Sequence, residues 1–300
     1  MRTSSFLGLA LPALLVAQAP APSLSQRFRT ESPAIDQLIK EFKYRDARAK
    51  AETLVPATQP EFVKSTPQKG LESSQEYSSL MAIYSLNGKA ALLGGDWAKA
   101  KDYFAKARTV AEQNHAAFTE VTAPIIQTWE KAMADSRKNL EDNAARRKEV
   151  EAKAEKDRTP QDLDLLKAVA VWDANMTNGS KLIKQLGDHA AGLKKDAEAF
   201  TKPMEGVDAD LKAEDETLAG EKFKGDKSKY VTAVLNTPKN FELPTQGDKV
   251  KLLYRLTFLD PTNTRASKSL QAAIEGKEVP VPVEKKAPAK KAKASAKKTK

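Results

Sequence analysis

A sustained heptad pattern constrains this chain more than any other feature in it. From Leu165 onward, core-type positions fall at Leu165, Val169, Trp172, Met176, Gly179, Ile183, Leu186, Ala190, Leu193, Ala197 and Phe200, in alternating steps of four and three. A seam of that period, held for about five heptads, belongs to a helix paired along its length with another helix. Thr159, Pro160 and Asp162 supply an N-cap, a first-turn proline and an early acid, so the helix starts there. The preceding segment alternates in the same way at Thr122, Ile126, Trp129, Met133, Ser136, Leu140, Asn143, Arg147, Val150 and Ala154.

If the two segments fold back on each other, facing residues have numbers with a constant sum. Ala154 with Leu165, Val150 with Val169, Met133 with Leu186 and Ile126 with Leu193 all add to 319, which places the turn between Thr159 and Pro160. In this register Trp129 meets Ala190, Leu140 meets Gly179, and the Arg147 guanidinium lies over Trp172, a contact of about 0.5–1 kcal/mol. Pro124 is expected in the first turn of the outgoing helix, which leaves a regular arm of about 35 residues, roughly 50 Å long. After Pro203 the spacing runs on through Met204, Val207, Leu211 and Leu218, as a kinked helix returning to the body. A dimeric coiled coil satisfies the same seams, so the oligomeric state stays open.

Upstream, apolar or small residues recur at Leu80, Tyr84, Gly88 and Ala91, then at Trp97, Ala100, Phe104 and Ala107, with Gly94-Gly95-Asp96 as a tight turn between them. This is a helix pair in which Gly88 and Ala100 let the backbones approach while Tyr84, Trp97 and Phe104 fill the space around the contact. At these residues the segment resembles a tetratricopeptide repeat over about one repeat length, although Glu112-Gln113-Asn114 stands where the closing proline usually falls. A fainter copy lies at Tyr44, Ala47, Ala51 and Leu54, and Leu253, Leu256, Leu259, Asp260 and Pro261 look like the end of another second helix. Ala47 and Ala100 are too far apart for tandem repeats, so Pro60 to Gln75 is read as an irregular connector. Thr262 to Ile274 reads as a last helix. The resemblance implies a peptide-binding face on the first helix, with Ser85, Lys89 and Leu92 as the partner-binding candidates; generic antiparallel helix pairs fit the same pattern.

The chemistry the chain can perform is narrowed by what it lacks. There is no cysteine and there are two histidines, His115 and His189, which leaves no thiol nucleophile and little from which to build a metal centre. No Gly-rich phosphate loop, dinucleotide fingerprint, His-Glu-x-x-His or calcium-loop pattern occurs, and acids such as Glu141, Asp142, Glu149 and Glu151 sit among Lys and Arg on helices. The expectation is a non-enzymatic protein without cofactor or metal.

The two ends of the chain speak to compartment. Arg2, the apolar stretch Phe6 to Val16 and Ala17-Gln18-Ala19 follow the order of a secretory signal peptide, so residues 1–19 are expected to direct export to the periplasm or beyond. At the other end, Lys285, Lys286, Lys290, Lys291, Lys293, Lys297, Lys298 and Lys300 follow an extended Val-Pro stretch. These eight lysines carry most of the net charge of +10, leaving +2 for the rest. The tail is similar in composition to the tails of linker-histone-like proteins and lacks aromatics for base stacking. An anionic envelope surface is therefore its expected partner, at about 1 kcal/mol per lysine, and nucleic acid is not expected outside the cytoplasm.

The chain is thus expected to be all-α. Its parts are a signal peptide (1–19), a tetratricopeptide-like body (24–115), a coiled-coil hairpin with its return helix (116–222), a C-terminal part of the body (223–276) and a disordered Pro/Lys/Ala-rich tail (277–300). The expected role is an exported scaffold or adapter for a protein or peptide partner. The alternatives are a periplasmic holdase that uses the arm, or a polyanion or nucleic-acid binder if the N-terminal segment is retained.

Overall fold

The computed structural model describes residues 22–279, and these form helices joined by turns and loops, with no strand among them. The signal-peptide segment and the eight tail lysines lie outside the described residues. In chain order the helices are α1 (Leu24–Lys40), α2 (Tyr44–Glu52), α3 (Pro67–Leu93), α4 (Trp97–Asp142), α5 (Ala144–Ala152), α6 (Pro160–Ala199), α7 (Thr201–Ala219), α8 (Lys227–Leu235), α9 (Gln246–Leu259) and α10 (Thr264–Ile274).

Local chemistry sets most of these boundaries. The hydroxyl of Ser23 and the amide of Gln26 form a capping box at α1, Thr66 caps α3 ahead of Pro67, and Asp96 caps α4 by accepting from the Lys99 N–H. A second capping box, Thr159 with Asp162, opens α6 at the residue where the sequence places the start. Thr66 starts α3 well inside the stretch read as a connector, so the irregular segment ends there and residues 67–75 are helical. A proline at the first helical position costs no hydrogen bond, because that N–H has no partner in any helix.

One core joins the first helix to the last. Ile35 of α1, Leu80 and Ile83 of α3, Leu235 of α8, and Leu253 and Leu256 of α9 are fully buried in a single cluster, each side chain worth about 1.5–3 kcal/mol of burial. Tyr44, Ala47, Ala51 and Leu54 are buried in the same cluster. α9 pairs chiefly with the following α10 rather than with α8. Val279 also packs on this core, and the Lys277 N–H donates to the Ala272 carbonyl, so residues 277–279 continue the body. The approach expected at Gly88 is present: a Cβ there would stand 2.7 Å from the Phe104 ring.

α4 and α6 run antiparallel, and every core-type position from Leu165 to Phe200 is buried or half-buried, as is every one from Thr122 to Val150. The phase of both seams is therefore right, but the register is not. Met133 and Trp129 surround Gly179, and the Asn175 Nδ2 donates to the Ser136 Oγ at 3.2 Å. Met133 and Gly179 add to 312, one heptad short of 319, so Trp129 does not meet Ala190 and Leu140 does not meet Gly179. The cause lies at the tip. α4 breaks at Asn143, α5 ends at Ala152, and Lys153 to Thr159 form a loop with one 3-10 turn, leaving Ala154 exposed rather than in the seam. A loop that long consumes one heptad and slides the helices without rotating them. The Arg147 guanidinium is held by carboxylates, Glu151 at 2.7 Å and Asp173 at 3.6 Å, rather than lying over Trp172.

Pro124 also differs from expectation, because it lies inside α4 rather than at a helix start. A proline there removes one backbone donor, normally a cost of about 3 kcal/mol. Phe118 before it and Ile125 and Ile126 after it pack on Leu186 and Leu193 of α6, which holds the rod together across the gap. α4 thus passes from body to arm without interruption and is 46 residues long, about 69 Å. The return helix begins at Thr201, immediately after Phe200 closes the seam, and not at Pro203.

Candidate interaction surfaces

The Gly94-Gly95-Asp96 turn is where body and return helix are locked together. Gly95 has φ of +83°, a left-handed conformation that favours glycine, and a Cβ there would lie 2.7 Å from the Cα of Arg255. α9 therefore passes directly against the turn. The Arg255 Nη1 donates to the Gly95 carbonyl at 2.6 Å, and its Nε donates to the Glu214 Oε1 of α7 at 3.0 Å. Its Nη2 completes the fork on the Glu214 Oε2, a bidentate pair with both side chains only 7% exposed. The guanidinium carbon lies 4.2 Å from the Trp97 ring centroid and 5.4 Å from that of Phe258. This is a buried cation with its charge paired and two aromatic rings packed close to it.

A second clip holds the same turn from the other side. Arg48 of α2 bonds Asp96 at 2.6 Å and Glu52 at 2.9 Å, and the Tyr103 hydroxyl donates to Glu52 at 3.1 Å. Burial, then the Glu52 carboxylate, pushes the Tyr103 phenol up to about 12. Burial, then Tyr254, does the same to Tyr44, also to about 12. Both clips make the turn a rigid structural joint. Neither Arg255 nor Glu214 was singled out from the sequence, although a lone arginine inside the apolar run Leu252 to Leu259 is a legible sign of a paired charge.

The predicted peptide face is only partly open. Lys89 is exposed, Ser85 is half-buried, and Leu92 packs against the cluster of Ala91, Ala100, Phe104, Ala107 and Phe200. The three share one side of α3, but Phe200 at the α6–α7 joint belongs to the cluster on which Leu92 rests. An apolar cleft of about 450 Å³ opens further along α3, lined by Leu71, Phe118, Leu182, Leu186 and His189 among others. His189, exposed beside the seam, meets the Phe118 ring edge-on with centroids 4.6 Å apart. A larger groove of about 840 Å³ runs between residues 238–249 and 273–279, where the described chain ends.

Among the described residues no three His, Asp or Glu side chains are grouped to hold a metal ion, and no helix is long and apolar enough to cross a membrane. No family model matches the chain, and neither does any curated protein or any solved structure.

Proposed function

We propose that this chain is an exported, non-enzymatic scaffold: a tetratricopeptide-like helical body, a coiled-coil hairpin arm, and a lysine-rich tail for anionic envelope components. The observation that carries the reading is the arm. α6 alone is 40 residues, about 60 Å, and it packs on α4 with its outer surface exposed, far more helix than the core of the body needs. Long helical pairs with a thin core offer surface rather than enclosure, which suits recognition of another macromolecule better than chemistry on a small one. Lys89, with Ser85 and Leu92 beside it, remains the candidate partner face on the body. The tail supplies a salt-sensitive attachment through Lys285, Lys286, Lys290, Lys291, Lys293, Lys297, Lys298 and Lys300.

The reading is tested by recovering bound proteins from envelope extracts with the intact chain, a chain lacking the arm (residues 126–193), and a chain ending at residue 284. Loss of protein partners without the arm, and loss of binding to anionic vesicles without the tail, support the assignment. Unchanged recovery from both truncated forms refutes it. One feature favours a holdase as the second reading: the apolar cleft beside Leu71 and Phe118 at the base of the arm. Failure to suppress aggregation of a denatured client removes it.

A further inference from the structure

The end of α10 steers the chain into the groove of about 840 Å³. Gly276 has φ of +70°, and the Lys277 N–H donates to the Ala272 carbonyl, the left-handed reversal that closes many helices. The reversal carries Val279, half-buried on the wall of the groove, back onto the core cluster that holds Phe241 and Val250. Val279 is also the first of three valines at alternate positions, followed by Val281 and Val283, with Pro280 and Pro282 between them.

We propose that the groove is the docking site of the chain's own Val281-Pro282-Val283, which anchors the root of the lysine tail to the body. Connectivity and pattern select the occupant. The segment is joined to the groove wall through Val279, so its effective concentration there is on the order of millimolar with no partner present. The two prolines exclude a helix and favour extended backbone in the residue before each, where every second side chain lies on one face. That period puts Val281 and Val283 on the face by which Val279 meets the body. Charge agrees. Glu242, Glu278, Lys249 and Lys277 line the groove, two of each sign, so it suits the uncharged stretch from Val279 to Val283 rather than the lysines beyond. Leu243 and Pro244 offer apolar surface to the valines. Pro280 and Pro282 have no N–H to leave unmet and lose little freedom on docking. A cleft of this volume holds a ligand of drug size, which is also the size of a few small residues. The inference depends neither on what the lysines bind nor on the arm.

Nitrogen-15 relaxation of the full chain, read at the Val281 and Val283 amides, tests it. The expected order parameters are about 0.8, as in rigid backbone, against less than about 0.6 at Ala292 within the lysine run. Leu243→Asp, at a half-buried position in the loop before α9, should drop both valines below about 0.6 while helical circular dichroism is kept. Val281→Asp/Val283→Asp leaves the groove itself intact and should move the amide resonances of Gln246 and Gly276 on its wall. Wild-type valines as mobile as Ala292, or groove resonances that the tail variant does not move, overturn the proposal. Order that is lost on roughly tenfold dilution overturns it too, because the segment is then seated in a second copy.

Discussion

Replacing Glu214 by glutamine removes the counter-charge of Arg255 and leaves the shape of the joint almost unchanged. Arg255 is 7% exposed and cannot recover its solvation without opening the contact between α7, α9 and the Gly95 turn. Breaking a buried ion pair from one side costs about 3–5 kcal/mol, and the glutamine oxygen retains one hydrogen bond worth about 1 kcal/mol. Glu214→Gln should therefore destabilise the fold by about 3 kcal/mol, which lowers Tm by about 6–12 °C in a chain of this size. Replacing both partners, as Glu214→Leu with Arg255→Met, removes the buried charges together. What is then lost is the contact of the guanidinium with the Trp97 and Phe258 rings and its bond to the Gly95 carbonyl, about 1–2 kcal/mol after relief of desolvation. The double change should thus cost less than either single change, a coupling of at least about 3 kcal/mol. Urea unfolding followed by far-UV circular dichroism measures the wild type, Glu214→Gln, Glu214→Leu, Arg255→Met and the double variant. A cost below about 1 kcal/mol for Glu214→Gln, or single costs that simply add, would show that the pair is solvated and the joint is not as described.

Gly95→Ala should cost about 3 kcal/mol in the same assay, because it combines an unfavourable left-handed φ with a Cβ 2.7 Å from the Arg255 backbone; a cost under about 1 kcal/mol contradicts the tight crossing. At high pH, Tyr44 and Tyr103 ionise near 10 when unfolded but near 12 when folded, so the native state holds more protons in that window and stability falls as pH rises from about 10 to 12. After allowance for solvent screening the two withdraw about 1–2 kcal/mol, and Tyr103→Phe should remove part of the slope in alkaline urea titrations. At low pH, the hydrogen bond from Lys153, then that from the Thr159 N–H, holds the Asp162 carboxyl down to about 2. Its contribution is complete above the ordinary carboxylate range near 4 and is lost as pH falls through 2, so the arm tip should loosen there first. Hydrogen exchange at residues 153–165 that stays level from pH 5 to 2, after correction for intrinsic rates, counts against it.

Much of this fold is legible in the sequence where a periodic pattern meets a chemical stop. Thr159-Pro160 and Gly94-Gly95-Asp96 mark helix ends through capping and φ, and both are found where they are read. The two seams are also right in phase, because burial follows the heptad period regardless of which heptad faces which. The register is a different kind of information. It depends on how many residues the tip consumes, and neither Asn143 nor the Lys153 to Thr159 loop announces its length in a composition of Lys, Glu and Ala. Pro124 is misread for a similar reason, since its meaning depends on Leu186 and Leu193, distant in sequence, which hold α4 together across it. The candidate face was only partly legible. Ser85, Lys89 and Leu92 do share a side of α3, but the joint that covers Leu92 is built by Phe200, more than a hundred residues later.

The central claim is that one chain folds back on itself to make the arm, with Met133 opposite Gly179. Because the chain has no cysteine, a pair introduced at Met133 and Gly179 has no competing thiols, and a Cβ at Gly179 would lie 2.8 Å from the Met133 Cγ, close enough for a disulfide to close. Oxidation of Met133→Cys/Gly179→Cys should give an intrachain crosslink that runs faster than the reduced chain on a denaturing gel. Leu140→Cys/Gly179→Cys, the pair of the alternative register, should stay reduced. Crosslinking of the second pair in place of the first, or a covalent dimer from Met133→Cys/Gly179→Cys, would contradict the hairpin described here.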